Sequence, residues 1–173
     1  MKGFTRNNPN LSLCGLNCGL CPMHLGGHCG GCGFGNQSCP IARCSLEHGG
    51  FEYCHECPEY PCRRYKHIDE KDSFITHRNQ KRDLAKIRQI GVEAYNTEQA
   101  EKKQILDKLL ADYNDGRKKT LFCTAVNLLE LQDLKDVLAQ AEAECAALPL
   151  KERAAMVARL LQQRSPVDLK LRK

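Results

Sequence analysis

Ten of the twelve cysteines lie between Cys14 and Cys62, in a stretch that also holds ten glycines, and this mixture cannot build an ordinary apolar core. Glycine favours turns and irregular backbone over helix or strand, and Pro22, Pro40, Pro58 and Pro61 follow or adjoin cysteines as turn residues do. Such a segment folds only if something crosslinks its loops. Three Cys-x-x-Cys pairs supply the means: Cys18 with Cys21, Cys29 with Cys32, and Cys54 with Cys57, with Cys14, Cys39, Cys44 and Cys62 around them. Two residues between thiolates let a tight turn aim both sulfurs at one ion. A bound cation gives each thiolate a counter-charge and each loop a crosslink.

The alternative crosslink is a disulfide framework, which belongs to oxidising compartments. Met1 to Ser12 carries no apolar run, and no segment approaches the eighteen or so consecutive apolar residues of a membrane span. The expectation is therefore a cytoplasmic chain with reduced thiols, no membrane partner, and metal as the crosslink. A net charge of +5, from 26 basic and 21 acidic residues largely interspersed, describes a solvated surface.

Composition changes near Tyr65, where the cysteines end and charged, leucine-bearing segments begin. We expect a cysteine-rich metal-binding module over residues 1–68 and an α-helical domain over 69–173. Helical turns are expected after Pro40 and after Pro61, since proline suits the first helical position. Beyond Phe74, Leu84, Ile87 and Ile90 mark a helix ending at Gly91, and Ile105, Leu106, Leu109, Leu110 and Tyr113 form one stripe of a helix opening near Thr97. A third runs from near Lys118 to Leu129, a fourth follows Asp133 to Cys145, and a fifth carries Met156, Val157, Leu160 and Leu161 between Pro149 and Pro166. The predicted class is mainly α: a small irregular cysteine-rich module followed by a helical bundle.

A closed zinc site takes four ligands, so ten cysteines fill two sites and leave two over. The first grouping places Cys18, Cys21, Cys29 and Cys32 in one site and Cys39, Cys44, Cys54 and Cys57 in another, with Cys14 and Cys62 unassigned; interleaved ligation is the competing arrangement. His24, His28, His48 and His55 lie in the same region and read as polar loop residues, since the thiols already suffice. Cys123 and Cys145 sit among apolar residues of predicted helices and read as small hydrophobes. The spacing Cys14-x-x-x-Cys18-x-x-Cys21 coincides with the cluster triad of radical S-adenosylmethionine enzymes. The alternating strands and helices of those enzymes do not follow here.

The motifs Cys14-Gly-Leu-Asn-Cys18-Gly-Leu-Cys21-Pro22, Cys29-Gly-Gly-Cys32, Cys39-Pro-Ile-Ala-Arg-Cys44 and Cys54-His-Glu-Cys57-Pro-Glu-Tyr-Pro-Cys62 resemble the cysteine-rich family known as domain of unknown function 3795. The resemblance extends to Ile90-Gly-Val-Glu-Ala-Tyr95 and to Tyr113-Asn-Asp-Gly-Arg-Lys-Lys119 leading into Phe122-Cys123, covering roughly residues 12 to 140. It implies a presumed metal-binding prokaryotic protein and no particular reaction. Relatives in that pattern carry a further Cys-x-x-Cys after the Gly-Val-Glu-Ala-Tyr segment; Lys102-Lys103-Gln104 stand here instead.

All-cysteine zinc sites are saturated, whereas catalytic zinc keeps an open position, so an interaction or regulatory module is expected ahead of an enzyme. The basic runs Arg63-Arg64-Tyr65-Lys66-His67 and Arg117-Lys118-Lys119 read as solvated helix ends rather than as a nucleic-acid footprint. The leading expectation is a zinc-binding protein holding two or more ions, with an unidentified protein partner. An iron–sulfur protein in electron transfer or redox sensing is the alternative, because thiolates serve iron equally well.

Overall fold

The computed structural model of the chain describes every residue but Ala146, and among the described residues it is mainly α, without a strand. Seven α-helices follow in order: α1 Pro22–Leu25, α2 Pro40–Glu47, α3 Gln80–Ile90, α4 Val92–Asp112, α5 Lys119–Leu128, α6 Leu131–Cys145 and α7 Leu150–Arg164. Three 3₁₀ turns, Cys18–Leu20, Cys54–Glu56 and Arg63–Tyr65, punctuate the cysteine region. The helical turns expected after Pro40 and Pro61 are α2, with Pro40 in its first turn, and the turn at Arg63–Tyr65. No described helix is long and apolar enough to cross a membrane.

The chain forms two compact units, Met1–Tyr95 with Arg172–Lys173, and Asn96–Leu171. The first unit therefore continues well past the compositional change near Tyr65, and the reason lies in its core. Leu11, Tyr53 and Tyr65 from the cysteine region pack with Leu84 and Ile87 of α3 and Tyr95 of α4, and Cys14, Cys54 and Cys62 lean on the same cluster. A smaller cluster gathers Phe4, Leu13 and Ala42, with Cys32, Cys39 and Cys54 against it. The glycine-rich loops thus do have an apolar core, but α3 has to lend its face to complete it. That is why the unit does not end where the cysteines do.

Asp72 ties the last residues of the chain into this unit. Its carboxylate accepts from the backbone N–H groups of His77 and Arg172 at 2.8 Å each, while its own N–H donates to the Arg172 carbonyl at 2.9 Å. Helix α3 stops where Gly91 takes φ +84°, a conformation that suits glycine. Helix α4 opens at Val92, more than a turn before the expected Thr97, because Val92 and Tyr95 are needed on the first unit's core.

In the second unit the predicted apolar stripes are the buried ones. Leu106 and Leu109 of α4, Phe122, Ala125 and Val126 of α5, Leu134, Val137 and Ala141 of α6, and Val157 and Leu161 of α7 are almost wholly out of water. Helix α7 packs against α5 and α6. Cys145 donates to Met156 Sδ at 3.3 Å between α6 and α7, which makes it a core thiol as expected, and Cys123 is buried on α5. Lys102 has its side chain buried and donates to the Leu129 carbonyl at 2.7 Å, so a cation closes the C-terminal end of α5.

Candidate metal centre

The loop from Ser12 to Cys21 is shaped before any ion is invoked. Ser12 and Leu16 bond reciprocally, the Ser12 N–H to the Leu16 carbonyl at 2.8 Å and the Leu16 N–H to Ser12 Oγ at 2.9 Å. Between them Gly15 adopts φ +91° and lies so close to α3 that an added Cβ would meet the Gln80 carbonyl oxygen at 2.7 Å and Leu84 Cγ at 2.9 Å. Only glycine lets the loop press this tightly on the helix. The contact brings Gln80 within reach of Cys14, whose sulfur accepts from Gln80 Nε2 at 3.2 Å with Ser12 Oγ also 3.2 Å away.

Beneath the same loop lies a polar network that the sequence reading missed. Asn17 Nδ2 donates to Asp83 Oδ2 at 2.9 Å, Tyr95 OH bonds the Asn17 amide, and Asn79 Nδ2 donates to the same carboxylate oxygen at 2.5 Å. Asn17, Asn79, Gln80 and Asp83 are all nearly inaccessible to water. Buried polar groups are tolerated when paired, and this pairing locks the first cysteine loop to α3 and α4. Asn17 stands inside the Cys14–Cys18 motif, the one signal available in sequence. Periodicity marks nothing at Gln80.

The second pair is approached through α1. His24 Nδ1 bonds the Cys29 carbonyl at 2.9 Å, fixing the turn between Cys21 and Cys29, and the Gly31 N–H donates to Cys29 Sγ at 3.4 Å. Gly35 packs directly against the Cys29 sulfur, leaving no room for a Cβ. A buried cation stands nearby: Arg6 donates to the carbonyls of Glu52 and Leu11, lies 5.1 Å over the Tyr53 ring, and stands near enough to Cys32 to favour its thiolate.

The cysteines fall into two neighbourhoods that meet where Cys14 acts on Cys54. Cys18 has Cys14, Cys32, Cys21 and Cys29 as its electrostatic neighbours, and Cys39 acts on both Cys14 and Cys32. Cys44, Cys54, Cys57 and Cys62 instead line one small cavity of about 30 Å³ whose other walls include Leu13, Phe51, Tyr60 and Tyr65. Among the described residues no three His, Cys, Asp or Glu side chains form a ready-made metal-holding group; the sulfurs share surroundings without closing a tetrahedron. All twelve cysteines are free thiols.

Burial raises the thiols of Cys14 and Cys18, and neighbouring sulfurs push in the same direction. Burial also raises Cys32, to about 11, against an opposing bond from the Leu13 backbone. Cys54 is pushed up to about 12 by burial, with the charges of Cys14, Cys62 and Cys44 adding to the rise and Tyr65 opposing it. Low dielectric and like-charge crowding both penalise the thiolate. A cation among these sulfurs reverses both penalties, since coordination requires the deprotonated form and releases the proton. As donors, the ten thiols fit a soft or borderline divalent ion.

The histidines have other occupations. His48 Nδ1 lies 2.8 Å from the Cys44 carbonyl and 3.6 Å from its sulfur, and His55 stacks on Tyr53 with ring centres 5.7 Å apart. No protein-family model, curated protein or solved structure matches the chain.

Proposed function

We propose that this is a zinc-binding protein whose N-terminal thiols hold ions as structural crosslinks, serving in the cytoplasm as an interaction or regulatory module for a protein partner. The observation that carries this reading is the gathering of ten unpaired thiols into one unit, where burial first and neighbouring sulfurs second disfavour the thiolates of Cys18 and Cys54. A bound cation would relieve that crowding and also fasten the loops. The likeness of the cysteine motifs to domain of unknown function 3795 supports the same proposal.

All-sulfur donors saturate zinc and leave no open position for substrate, which favours a structural over a catalytic role.

Elemental analysis of anaerobically purified protein tests the proposal. Zinc at about two or more ions per chain supports it, and Cys18→Ala is expected to lower that number and expose the first unit to protease. Iron with sulfide, and broad absorption near roughly 400 nm, overturns zinc in favour of an iron–sulfur protein.

A further inference from the structure

We propose that Cys44, Cys54, Cys57 and Cys62 form a four-thiolate site of their own for one zinc-like ion, and that Cys39 belongs with the other thiol group. This rests on the zinc-binding reading above and assigns which thiols share an ion, something the cysteine spacing left open.

Helix α2 separates the two sets. Cys39 is its N-cap and Cys44 lies in its body, five residues on. At about 100° per residue, five steps turn a side chain roughly 140° around the axis, so the two sulfurs face different sides. Cys39 packs on the cluster of Phe4, Leu13 and Ala42, which Cys32 and Cys54 also touch, and it is not among the residues lining the cavity of Cys44. Cys44 faces the cavity that Cys54, Cys57 and Cys62 also line. The turn Cys54–Glu56 fixes the pair, with the Cys57 N–H donating to the Cys54 carbonyl at 3.1 Å, and Cys62 is N-cap of the next turn. Four soft donors, the number a closed zinc site takes, thus come from three short elements around one cavity.

An entry path is present as well. Cys44 and Cys62 line a second, open cleft of about 380 Å³ together with His48, Glu59, Arg63 and Arg64. A divalent ion in four thiolates carries a net charge of about −2, which the two arginines at the mouth offset. The Arg63-Arg64 run, read from sequence as a solvated helix end, therefore has a role at this site.

The test uses full-length protein loaded anaerobically with zinc, cysteines being mapped by iodoacetamide labelling and mass spectrometry. Cys62→Ser is expected to lose about one zinc per chain and to make Cys44, Cys54 and Cys57 reactive together, while Cys18, Cys21, Cys29 and Cys32 stay protected. Cys39→Ser is expected to leave Cys44, Cys54, Cys57 and Cys62 protected. Exposure of those four in Cys39→Ser, or their continued protection in Cys62→Ser, overturns the grouping while the zinc reading stands. A wild-type protein that takes up no zinc overturns both. Should Cys62→Ser fail to fold, graded chelation of the wild type decides: labelling of Cys44, Cys54, Cys57 and Cys62 as one set apart from Cys39 supports the site, and labelling of Cys39 in step with them overturns it.

Discussion

Replacing Gly15 by alanine puts a methyl group where the Gln80 carbonyl oxygen already stands. The position combines φ +91° with projected contacts of 2.7 Å to that oxygen and 2.9 Å to Leu84 Cγ. A left-handed conformation costs a residue with a Cβ about 1–2 kcal/mol. Forcing a methyl into a filled contact costs about 1–3 kcal/mol more, because the nearest atom is helix backbone rather than a flexible side-chain end. The sum is about 2–5 kcal/mol, a large fraction of the stability of a unit this size. Gly27→Ala isolates the first contribution, since Gly27 has φ +71° and nothing within 4 Å of its projected Cβ, and should cost only about 1–2 kcal/mol. Urea unfolding followed by tyrosine fluorescence is the assay: the chain lacks tryptophan, and Tyr53, Tyr60, Tyr65 and Tyr95 all belong to the first unit, leaving only Tyr113 in the second. Losses for the two variants that agree within about 0.5 kcal/mol would falsify the claim that the loop is pressed on α3.

Asp83→Ala should destabilise the first unit by about 1–3 kcal/mol, because it strips the carboxylate from the buried Asn17 and Asn79 amides, and an unchanged urea midpoint would sink that account. Chelation of the zinc-loaded protein should remove most of the near-ultraviolet tyrosine signal, leaving that of Tyr113, while much of the far-ultraviolet helical signal persists, as expected if metal holds the first unit; simultaneous loss of both signals contradicts it. Acid should act through His77 and Asp72. Burial holds His77 below its ordinary value, so its contribution is present above about pH 6.5 and is lost as pH falls. Burial opposes ionisation of Asp72, but the N–H groups of Arg172 and His77 outweigh it and lower the carboxyl. Its contribution is present above about pH 3.9 and lost on further acidification through the lowered value. His77→Gln should flatten the stability profile between pH 7 and pH 5, and a profile identical to wild type refutes the assignment. Phe122→Ala, at a fully buried position of α5, should cost the second unit about 3–5 kcal/mol in thermal unfolding followed by helical signal; a loss under about 1 kcal/mol would show that site to be loosely packed.

Helix positions beyond Phe74 were legible because each stripe repeats at helical spacing and each boundary has a local cause, such as Gly91 or Pro149. The opening of α4 was not. Val92 and Tyr95 join that helix because a core contributed by distant residues recruits them, and no local pattern records this. Arg6 and Gln80 likewise look like surface residues in sequence. They become parts of the thiol region only when the chain folds a polar or cationic group against a particular cysteine.

By itself the sequence determined which thiols pair locally, since Cys-x-x-Cys spacing places two sulfurs on one turn whatever the rest of the chain does. Tertiary structure decided which sulfurs become neighbours. Cys39 and Cys44 are close in sequence, yet α2 turns them to different sides, while Cys44 lines one cavity with Cys54, Cys57 and Cys62 from farther along the chain. Spacing governs geometry within a turn, whereas proximity between turns depends on the path of the backbone, and here that path is set by packing against α3.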